Sequence, residues 1–396
     1  MLLDGIKVIE MGQSLAGPWA ATIMADLGAQ VVKVEPPSGD AARGWGPPFI
    51  GADASVYHFI NRNKASLVLD VTDADDRTVF DRLIDETDVF IHNVRPGAAE
   101  RLKIDAATLQ ARNPALIYGD IAAFGHTGPL AERPGYELGL QAYGGIMSIT
   151  GTEASGALRA GPSVNDFGTG MWTAMGVLAA LVRRATTGQG CVIETSLLET
   201  ALNWMGLHMA NFACDGEVPK RMGAAHQLVC PYGAYEAADR PLIIATGSDG
   251  LFASLARALG HPEWVDDERY SKMSARLARR AEVDAMVQAE ISKHPQAHWI
   301  DLLNEAGVPC TPIQDAAQLW EDEQVRALDQ LRAPKDGDTP LVHLPLSVDG
   351  ARPDMRTSPP SLTDAREAAR RAAQVPVDTN LFEYLFAETS EDELDR

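Results

Sequence analysis

The sequence predicts an α/β fold: a Rossmann-like large domain built on a mostly parallel sheet, followed by a smaller α+β domain. Three observations carry that expectation. Short β-rich runs alternate with helical stretches through residues 1–200, the pattern of parallel strands joined by crossover helices. The 396 residues are 45% hydrophobic, enough to bury a large core and to divide into two domains. Near residue 222 the alternation gives way to two short strands around a polar turn and then to a run of helices.

The elements follow in order. Lys7–Met11 reads as a strand, Gly17–Leu27 as a helix and Gln30–Val34 as the next strand. Ser66–Leu69, Asp88–His92 and Leu116–Ile121 are further strands, with helical stretches at 74–86 and 98–111. Met171–Arg183, rich in Met, Ala, Leu and Val, reads as a buried helix, and Cys191–Thr195 as a strand. Residues 197–212 read as one long helix leaving the sheet. In the second region Tyr232–Ala237, Pro241–Ala245 and Cys310–Gln314 are strands, and 250–259, 280–292 and 296–305 are helical. Leu341–Val348 reads as extended and Asp364–Gln374 as helical. The boundaries are a large domain over 1–200, a linker helix over 201–222, a small domain over 223–328 and a C-terminal segment over 329–396.

Several function classes are disfavoured. The first strand-helix unit has no GxGxxG, and Gly12, Gly17 and Pro18 are too sparsely spaced for a dinucleotide fingerprint. A net charge of −21 opposes binding to nucleic acid, which needs a basic surface. Part of that charge is the acidic tail over 388–395, expected to be solvated. No run of about 18 uncharged apolar residues suggests a membrane span, and no basic-then-apolar leader opens the chain, so a soluble cytoplasmic protein is expected. Cys191, Cys214, Cys230 and Cys310 lie far apart without ligand spacing, so neither disulfides nor structural zinc are expected. His294 and His298 have helical i, i+4 spacing, but Pro295 intervenes and no acidic partner lies between them, so they read as surface residues.

The most informative residue is Asp166, in Pro162-Ser-Val-Asn-Asp-Phe-Gly-Thr-Gly170 before the apolar helix. Two readings stand. The carboxylate is a helix N-cap, or it is a nucleophile toward an activated acyl group, held ionised at a helix start. Gly168 and Gly170 flank Thr169 and would let a large ligand approach the backbone.

Those residues also carry a resemblance. The Asp, the Thr169-Gly170 that follows it, the helix, Thr187-Gly-Gln-Gly190 and Glu194-Thr-Ser-Leu-Leu-Glu199 resemble the CaiB/BaiF family of class III CoA-transferases. So do Leu3-Asp-Gly-Ile-Lys-Val-Ile-Glu10 with Ala16-Gly-Pro18, Asp26-Leu-Gly-Ala-Gln-Val-Val-Lys-Val-Glu-Pro36, and Asn61-Arg-Asn-Lys64. Asn93-Val-Arg-Pro-Gly97, Phe124-Gly-His-Thr-Gly-Pro129, Arg133-Pro-Gly-Tyr136, Asp267-Glu-Arg-Tyr270 and Ala306-Gly-Val-Pro309 continue the match in family order.

The resemblance implies transfer of coenzyme A from an acyl-CoA donor to a free carboxylic acid, with no metal and no permanently bound cofactor. Asp166 would carry a mixed anhydride and then an aspartyl-CoA thioester, because only a carboxylate can serve at each stage. Peptide N–H groups from Asp166 to Gly168, and Tyr136, are candidate oxyanion donors. Arg133, Tyr136, Glu137, Gln141 and His226 are candidate lining residues. Gly247 and Gly250, in Thr246-Gly-Ser-Asp-Gly250, would belong to a lid that keeps water from the anhydride, against the plainer reading of a strand-to-helix turn capped by Ser248 or Asp249. The family's coenzyme A contacts fall on Ser14, Leu15, Ala16, Leu69, Asn93, Val94 and Arg101, and Arg101 could pair with a phosphate. This chain departs from the family at Leu15, Pro36 and Thr72, where Gln, Arg and Lys are frequent, so Arg43 and Lys64 are expected to replace lost positive charge. The resemblance further implies a homodimer whose subunits are threaded like linked rings, and a C-terminal segment returning to the large domain.

Three other readings remain. Racemases of 2-methylacyl-CoA thioesters share the Asp-Phe-Gly string, but their catalytic His lies in Gly-His-Asp, where this chain has Gly135-Tyr136-Glu137. Tyrosine, with a pKa of about 10, is a poor base at neutral pH. His126 belongs to the preceding turn. The chain could also be one acyl-CoA-binding subunit of a heteromeric transferase, or a plain acyl-CoA-binding module.

Overall fold

The strand that opens the chain lies at the middle of its sheet. In the computed structural model, which describes residues 1–391 and side chains to 387, six strands run parallel. They are β1 (Lys7–Met11), β2 (Gln30–Glu35), β3 (Lys64–Val68), β4 (Val89–His92), β5 (Ile117–Ala122) and β6 (Cys191–Ser196). Their spatial order is 6-5-4-1-2-3. The chain winds outward from β1 to β3, then returns to lay β4 on the other side of β1. The connections at the carboxyl ends of β1 and β4 therefore diverge and open the crevice where doubly wound folds bind ligands.

Among the helices of this unit are α1 (Ala16–Asp26), α2 (Ala74–Glu86), α3 (Ala98–Arg101), α4 (Ala106–Arg112), α5 (Glu137–Tyr143), α6 (Val164–Thr187), α7 (Leu197–Trp204) and α8 (Gly206–Asp215). The sheet is buried on both faces, as its continuous apolar strands require. Ile9, Val34, Leu67 and Phe90 meet Phe80, Leu83 and Ile84 of α2 on one face. Val8, Val31, Ile91 and Ile117 meet Ala20 and Met24 of α1 and Val177 of α6 on the other. Val8 and Ile9, adjacent in β1, thus feed opposite cores, the period-2 rule of a strand. Asp73 caps α2 by accepting from the N–H groups of Asp75 and Asp76.

Several helical expectations are corrected. The 98–111 stretch is two helices, broken where Lys103 takes a φ of 53° and Asp105 caps α4. The 197–212 helix is likewise two, α7 and α8. The helix expected from Met171 begins at Val164 and runs to Thr187, closed by Gly188 at φ 69°. Its polar, glycine-rich first turns did not read as helix because their fit is tertiary. A Cβ on Gly168 would meet Thr200 Cγ2 and Trp204 Cζ2 at 2.8 Å, and one on Gly170 would meet the Ala16 carbonyl at 2.7 Å.

The chain divides into two units, Met1–Ile146 with Ala160–Asp215 and Arg326–Arg396, and Met147–Arg159 with Gly216–Val325. Met147–Arg159, assigned by sequence to the large domain, belongs to the second unit, where the Gly223 N–H donates to the Gly151 carbonyl at 2.7 Å. Within that unit β7 (Tyr232–Glu236), β8 (Pro241–Ala245) and β9 (Cys310–Pro312) form an antiparallel sheet in that order. Helices α9 (Asp249–Ala258), α10 (Arg280–Ile291) and α11 (Gln296–Glu305) cover it with Leu255, Val287, Trp299 and Leu303.

The C-terminal stretch of the first unit is held by a buried pair. Arg62 donates to Asp26 from Nε and Nη2, and Asn63 Nδ2 donates to Asp26 Oδ1 at 2.7 Å. Asn63 Oδ1 in turn accepts from the backbone N–H groups of Arg356 and Thr357. Helices α12 (Leu362–Ala372) and α13 (Leu381–Glu391) follow, and Ala369, Leu381 and Phe382 join the core under α2. The acidic run over 388–395 lies outside the residues whose side chains are described. Among the described residues no helix is long and apolar enough to cross a membrane.

Candidate active site

The crevice between β1 and β4 is built from backbone held by side chains. Asn93, just past β4, donates from Nδ2 to the Gln13 carbonyl and accepts from the Gln13 N–H at Oδ1, both at 2.8 Å. Its amide is spent on the turn after β1, so the side chain expected to touch coenzyme A instead holds that turn. Ser14 adopts a φ of 68° and donates its N–H to Asp40 Oδ1. Val94 is half-buried, and its N–H points to His92 Nδ1 at 3.4 Å.

Other expected contacts are turned inward. Leu15, Ala16 and Leu69 are 8%, 2% and 1% exposed, and their side chains belong to the core. Arg43 and Lys64 do not offer free charge. Arg43 pairs with Glu35 and Asp53, and Lys64 with Glu10, all nearly without solvent access. Buried cations keep such partners because an unpaired buried charge is prohibitive. Arg101 differs: it closes α3, is exposed, and makes no ion pair among the described residues.

Asp166 stands in the first turn of α6 and is not its cap; Ser163 precedes the helix and its side chain caps nothing. The orphan N–H groups of that turn find another acceptor. Glu137, at the start of α5, takes the N–H of Asn165 at Oε1 and of Asp166 at Oε2, both at 3.2 Å. Gln141, one turn on, donates to Glu137 at 2.7 Å and accepts from the Ala160 N–H at 2.8 Å. Phe167 packs edge-on to Trp19, with centroids 5.3 Å apart, and the Thr169 and Thr200 hydroxyls meet at 2.7 Å. The nucleophile candidate therefore sits on a helix start fastened to α1, α5 and α7.

The Asp166 carboxyl itself accepts no hydrogen bond from the described residues. Partial burial and the adjacent negative charge of Glu137 push its pKa up to about 7. The helix N-terminus pulls the other way, toward the anion, and loses to desolvation and like charge. Such a perturbed, unpaired and partly buried acid is a mark of a functional site.

The oxyanion expectations change accordingly. The Asp166 N–H is occupied by Glu137, the Phe167 N–H bonds the Ser163 carbonyl, and Gly168 is a packing position against α7. Glu137 is an acceptor and no oxyanion donor. Tyr136 remains free: it is 73% exposed and its hydroxyl has no partner among the described residues. Arg133 lies over the Phe124 ring at 5.3 Å. His226, Gly247 and Gly250 belong to the second unit. There Ser248 caps α9 by accepting from the Leu251 N–H, and a Cβ on Gly247 would meet open space. The His294 and His298 rings lie 4.4 Å apart between centroids with their planes tilted by 41°, and no group of three His, Cys, Asp or Glu placed to hold a metal occurs among the described residues.

Sequence reasoning missed Asn165. It is fully buried, and neither atom of its side-chain amide finds a partner among the described residues. Nothing in its local string marks it, because its burial comes from the packing of α6.

The chain matches the family model described as CoA-transferase family III over residues 3–365. It is 35% identical over 376 residues to an acetyl-CoA:oxalate CoA-transferase of Acetobacter aceti, covering 94% of this chain and 96% of that one. It is 37% identical over 332 residues to a succinate–glutarate CoA-transferase of Agrobacterium fabrum, covering 82% and 83%. A CaiB/BaiF family protein from Brucella suis has a similar crystal structure, with a TM-score of 0.84 at 36% identity, over 93% of this chain and 98% of that one.

The raised pKa of Asp166 has a consequence for stability. Its native state binds a proton more tightly than the unfolded chain does, so this residue costs stability as pH rises from about 4 toward 7. Asp166→Asn should then raise the melting temperature at pH 8 and leave it nearly unchanged at pH 4. Melting curves at the two pH values decide it, and an equal shift at both would contradict the assignment.

Proposed function

The chain belongs to CoA-transferase family III and transfers coenzyme A from an acyl-CoA to a carboxylic acid, and from that premise we propose that the transfer runs through covalent intermediates on Asp166. The observation that carries this reading is the unpaired, half-buried Asp166 carboxyl at the fastened start of α6. A carboxylate oxygen attacks the thioester carbonyl, the C–S bond breaks, and coenzyme A leaves as thiolate, with the acyl group now held on Asp166 as a mixed anhydride. The thiolate then attacks the aspartyl carbonyl, releasing the donor acid and forming the aspartyl-CoA thioester. The acceptor carboxylate attacks that thioester to form a second anhydride, and the thiolate attacks its acyl carbonyl, which frees Asp166. No proton is consumed overall, and the same burial that raises the pKa leaves the ionised carboxylate poorly solvated and reactive.

Oxalate, glutarate, mesaconate and D-citramalate appear in the names of relatives. All are dicarboxylates, and a dicarboxylic acid is the acceptor class we propose here. Arg133, with no acidic partner among the described residues, and Tyr136 are suited to its second carboxylate. Coenzyme A is placed at the switch point, against Ser14, Val94 and the backbone of the turn, with Arg101 on its phosphates.

The racemase reading is disfavoured because Tyr136 stands where those enzymes carry the His of Gly-His-Asp, and among the described residues the charge that perturbs Asp166 is that of Glu137, another carboxylate. We further propose a homodimer. Met171, Met175, Trp204, Leu207, Met209 and Phe212 on α6, α7 and α8 are 44–55% exposed, and α8 has no fully buried residue. So much apolar surface on consecutive helices marks an interface. A cytoplasmic location agrees with four unpaired cysteines.

Incubation with acyl-CoA followed by hydroxylamine or borohydride should mark the peptide containing Asp166 in mass spectrometry. Asp166→Ala should abolish transfer and leave folding intact, since the carboxyl holds no hydrogen bond. Deuterium oxide should place no label at the acyl α-carbon. Full transfer by the variant would sink the covalent mechanism, and rapid α-exchange would restore the racemase.

Arg101→Ala should raise the donor KM about ten- to a hundred-fold, the loss expected for a charge-assisted contact. The acceptor KM and kcat should hardly change, because the contact is equal in ground and transition states. A donor KM equal to wild type, with the same salt response, would make Arg101 an ordinary solvated charge.

Light scattering at assay concentration should give twice the chain mass. Full activity from a strict monomer is the result that excludes the dimer.

A further inference from the structure

We propose that the buried ions Glu10, Lys33 and Asp40 form a positioning device for the donor site, clamping the Gly12–Ser14 turn in the conformation that coenzyme A meets. The inference rests on placing coenzyme A at the switch point, as above.

The backbone of this turn has no strand or helix to hold it, and side chains do so instead. Glu10 Oε1 accepts the Gly12 N–H at 2.6 Å, and Lys33 Nζ donates to the Gly12 carbonyl at 2.9 Å. Asn93 takes both polar groups of Gln13, and Asp40 Oδ1 takes the Ser14 N–H at 3.2 Å. Lys33 ties the acids together, 3.2 Å from each Glu10 oxygen and 2.9 Å from Asp40 Oδ2. Lys64 joins from the far side, donating to Glu10 Oε2 at 3.2 Å and to the Pro18 carbonyl of α1 at 2.8 Å. Position 12 has no room for a side chain: a Cβ there would lie 2.7 Å from Glu10 Oε1 and 3.2 Å from Gly17 Cα.

Glu10 and Lys33 are fully buried and Asp40 is 3% exposed. Buried ion pairs are poor devices for stability, since well-packed apolar side chains of like volume do as well or better. What these ions do that apolar residues could not is bond to three consecutive backbone units and force Ser14 to a φ of 68°, which a non-glycine residue resists. The cluster is also neutral, two acids against Lys33 and Lys64. It shapes the crevice without adding to the negative field of a chain with net charge −21, which already opposes a polyanionic ligand.

The test uses the full-length protein with Asp40→Asn, Lys33→Met and Asn93→Ala. Free coenzyme A binding is measured by calorimetry, donor and acceptor KM and kcat by steady-state kinetics, and folding by melting temperature. Asp40→Asn and Lys33→Met should each weaken coenzyme A binding and raise the donor KM by at least about tenfold. The acceptor KM and the kcat at saturating donor should stay within about twofold. Asn93→Ala acts on the same turn without disturbing a buried charge. It should raise the donor KM with no fall in melting temperature, a split that a purely structural role would not produce. If Lys33→Met does not fold, the other two variants decide. A folded Asp40→Asn and an Asn93→Ala that both bind coenzyme A as wild type does would overturn the proposal. Failure of the underlying reading looks different: wild type itself would not bind free coenzyme A, or Asp166→Ala would keep full transfer.

Discussion

The arrangement of the site depends on one interaction, the acceptance of two backbone N–H groups at the start of α6 by the Glu137 carboxylate. A helix start leaves donors unpaired, and Ser163, at the N-cap position, supplies no side-chain acceptor. Glu137 fills that need from another helix, so the cap also fixes α5 against α6. Gln141 extends the fastening to Ala160, before the helix begins. The cost is a negative charge beside a second carboxylate in a poorly solvated place. That tension is the chemical content of the site, because it makes Asp166 both accurately held and reluctantly ionised. A hydroxyl cap would have secured the helix without adding that charge, leaving burial alone to raise the Asp166 pKa.

The rest of the first unit brings a different set of backbone groups to the same edge of the sheet. In a 6-5-4-1-2-3 parallel order, the connections after β1 and β4 lead to opposite faces of the sheet, and Asn93 ties the two turns together where they start. Leu15 and Ala16, which follow β1, turn their side chains into the core and leave backbone at the turn. A ligand here would read the shape of the turn more than the identity of its residues.

Charge is managed the same way throughout this unit. Lys33, Arg43, Arg62 and Lys64 are all buried, and each is matched by carboxylates: Glu10 and Asp40, Glu35 and Asp53, Asp26, and Glu10 again. The pairs bridge segments distant in sequence, from β1 to β3 and from Asp26 at the end of α1 to Arg62 just before β3. They specify which segments meet, which is the use buried ion pairs serve better than stability. A chain so acidic overall thus keeps its interior balanced and leaves the excess at the surface.

Much was legible in the sequence because it is written in short-range pattern. β1 and α2 fall where alternation and periodicity place them, since burial on two faces demands continuous apolar strands and a helix needs an apolar stripe. Asp166 was singled out by its position before the helix, and the family resemblance by motifs that run through the chain in order. The tertiary structure decided the rest. Whether Arg43 and Lys64 were free depended on Glu35, Asp53 and Glu10, residues whose nearness no local string reveals. The start of α6 depended on Thr200, Trp204 and the Ala16 carbonyl, which select glycines at positions 168 and 170 for want of space. Asn93 and Glu137 bear polar groups that sequence assigns to a ligand, yet both are taken by backbone. A side chain's type states what it can bond; only the folded chain, by bringing distant donors and acceptors within about 3 Å, determines which bonds are left for a substrate.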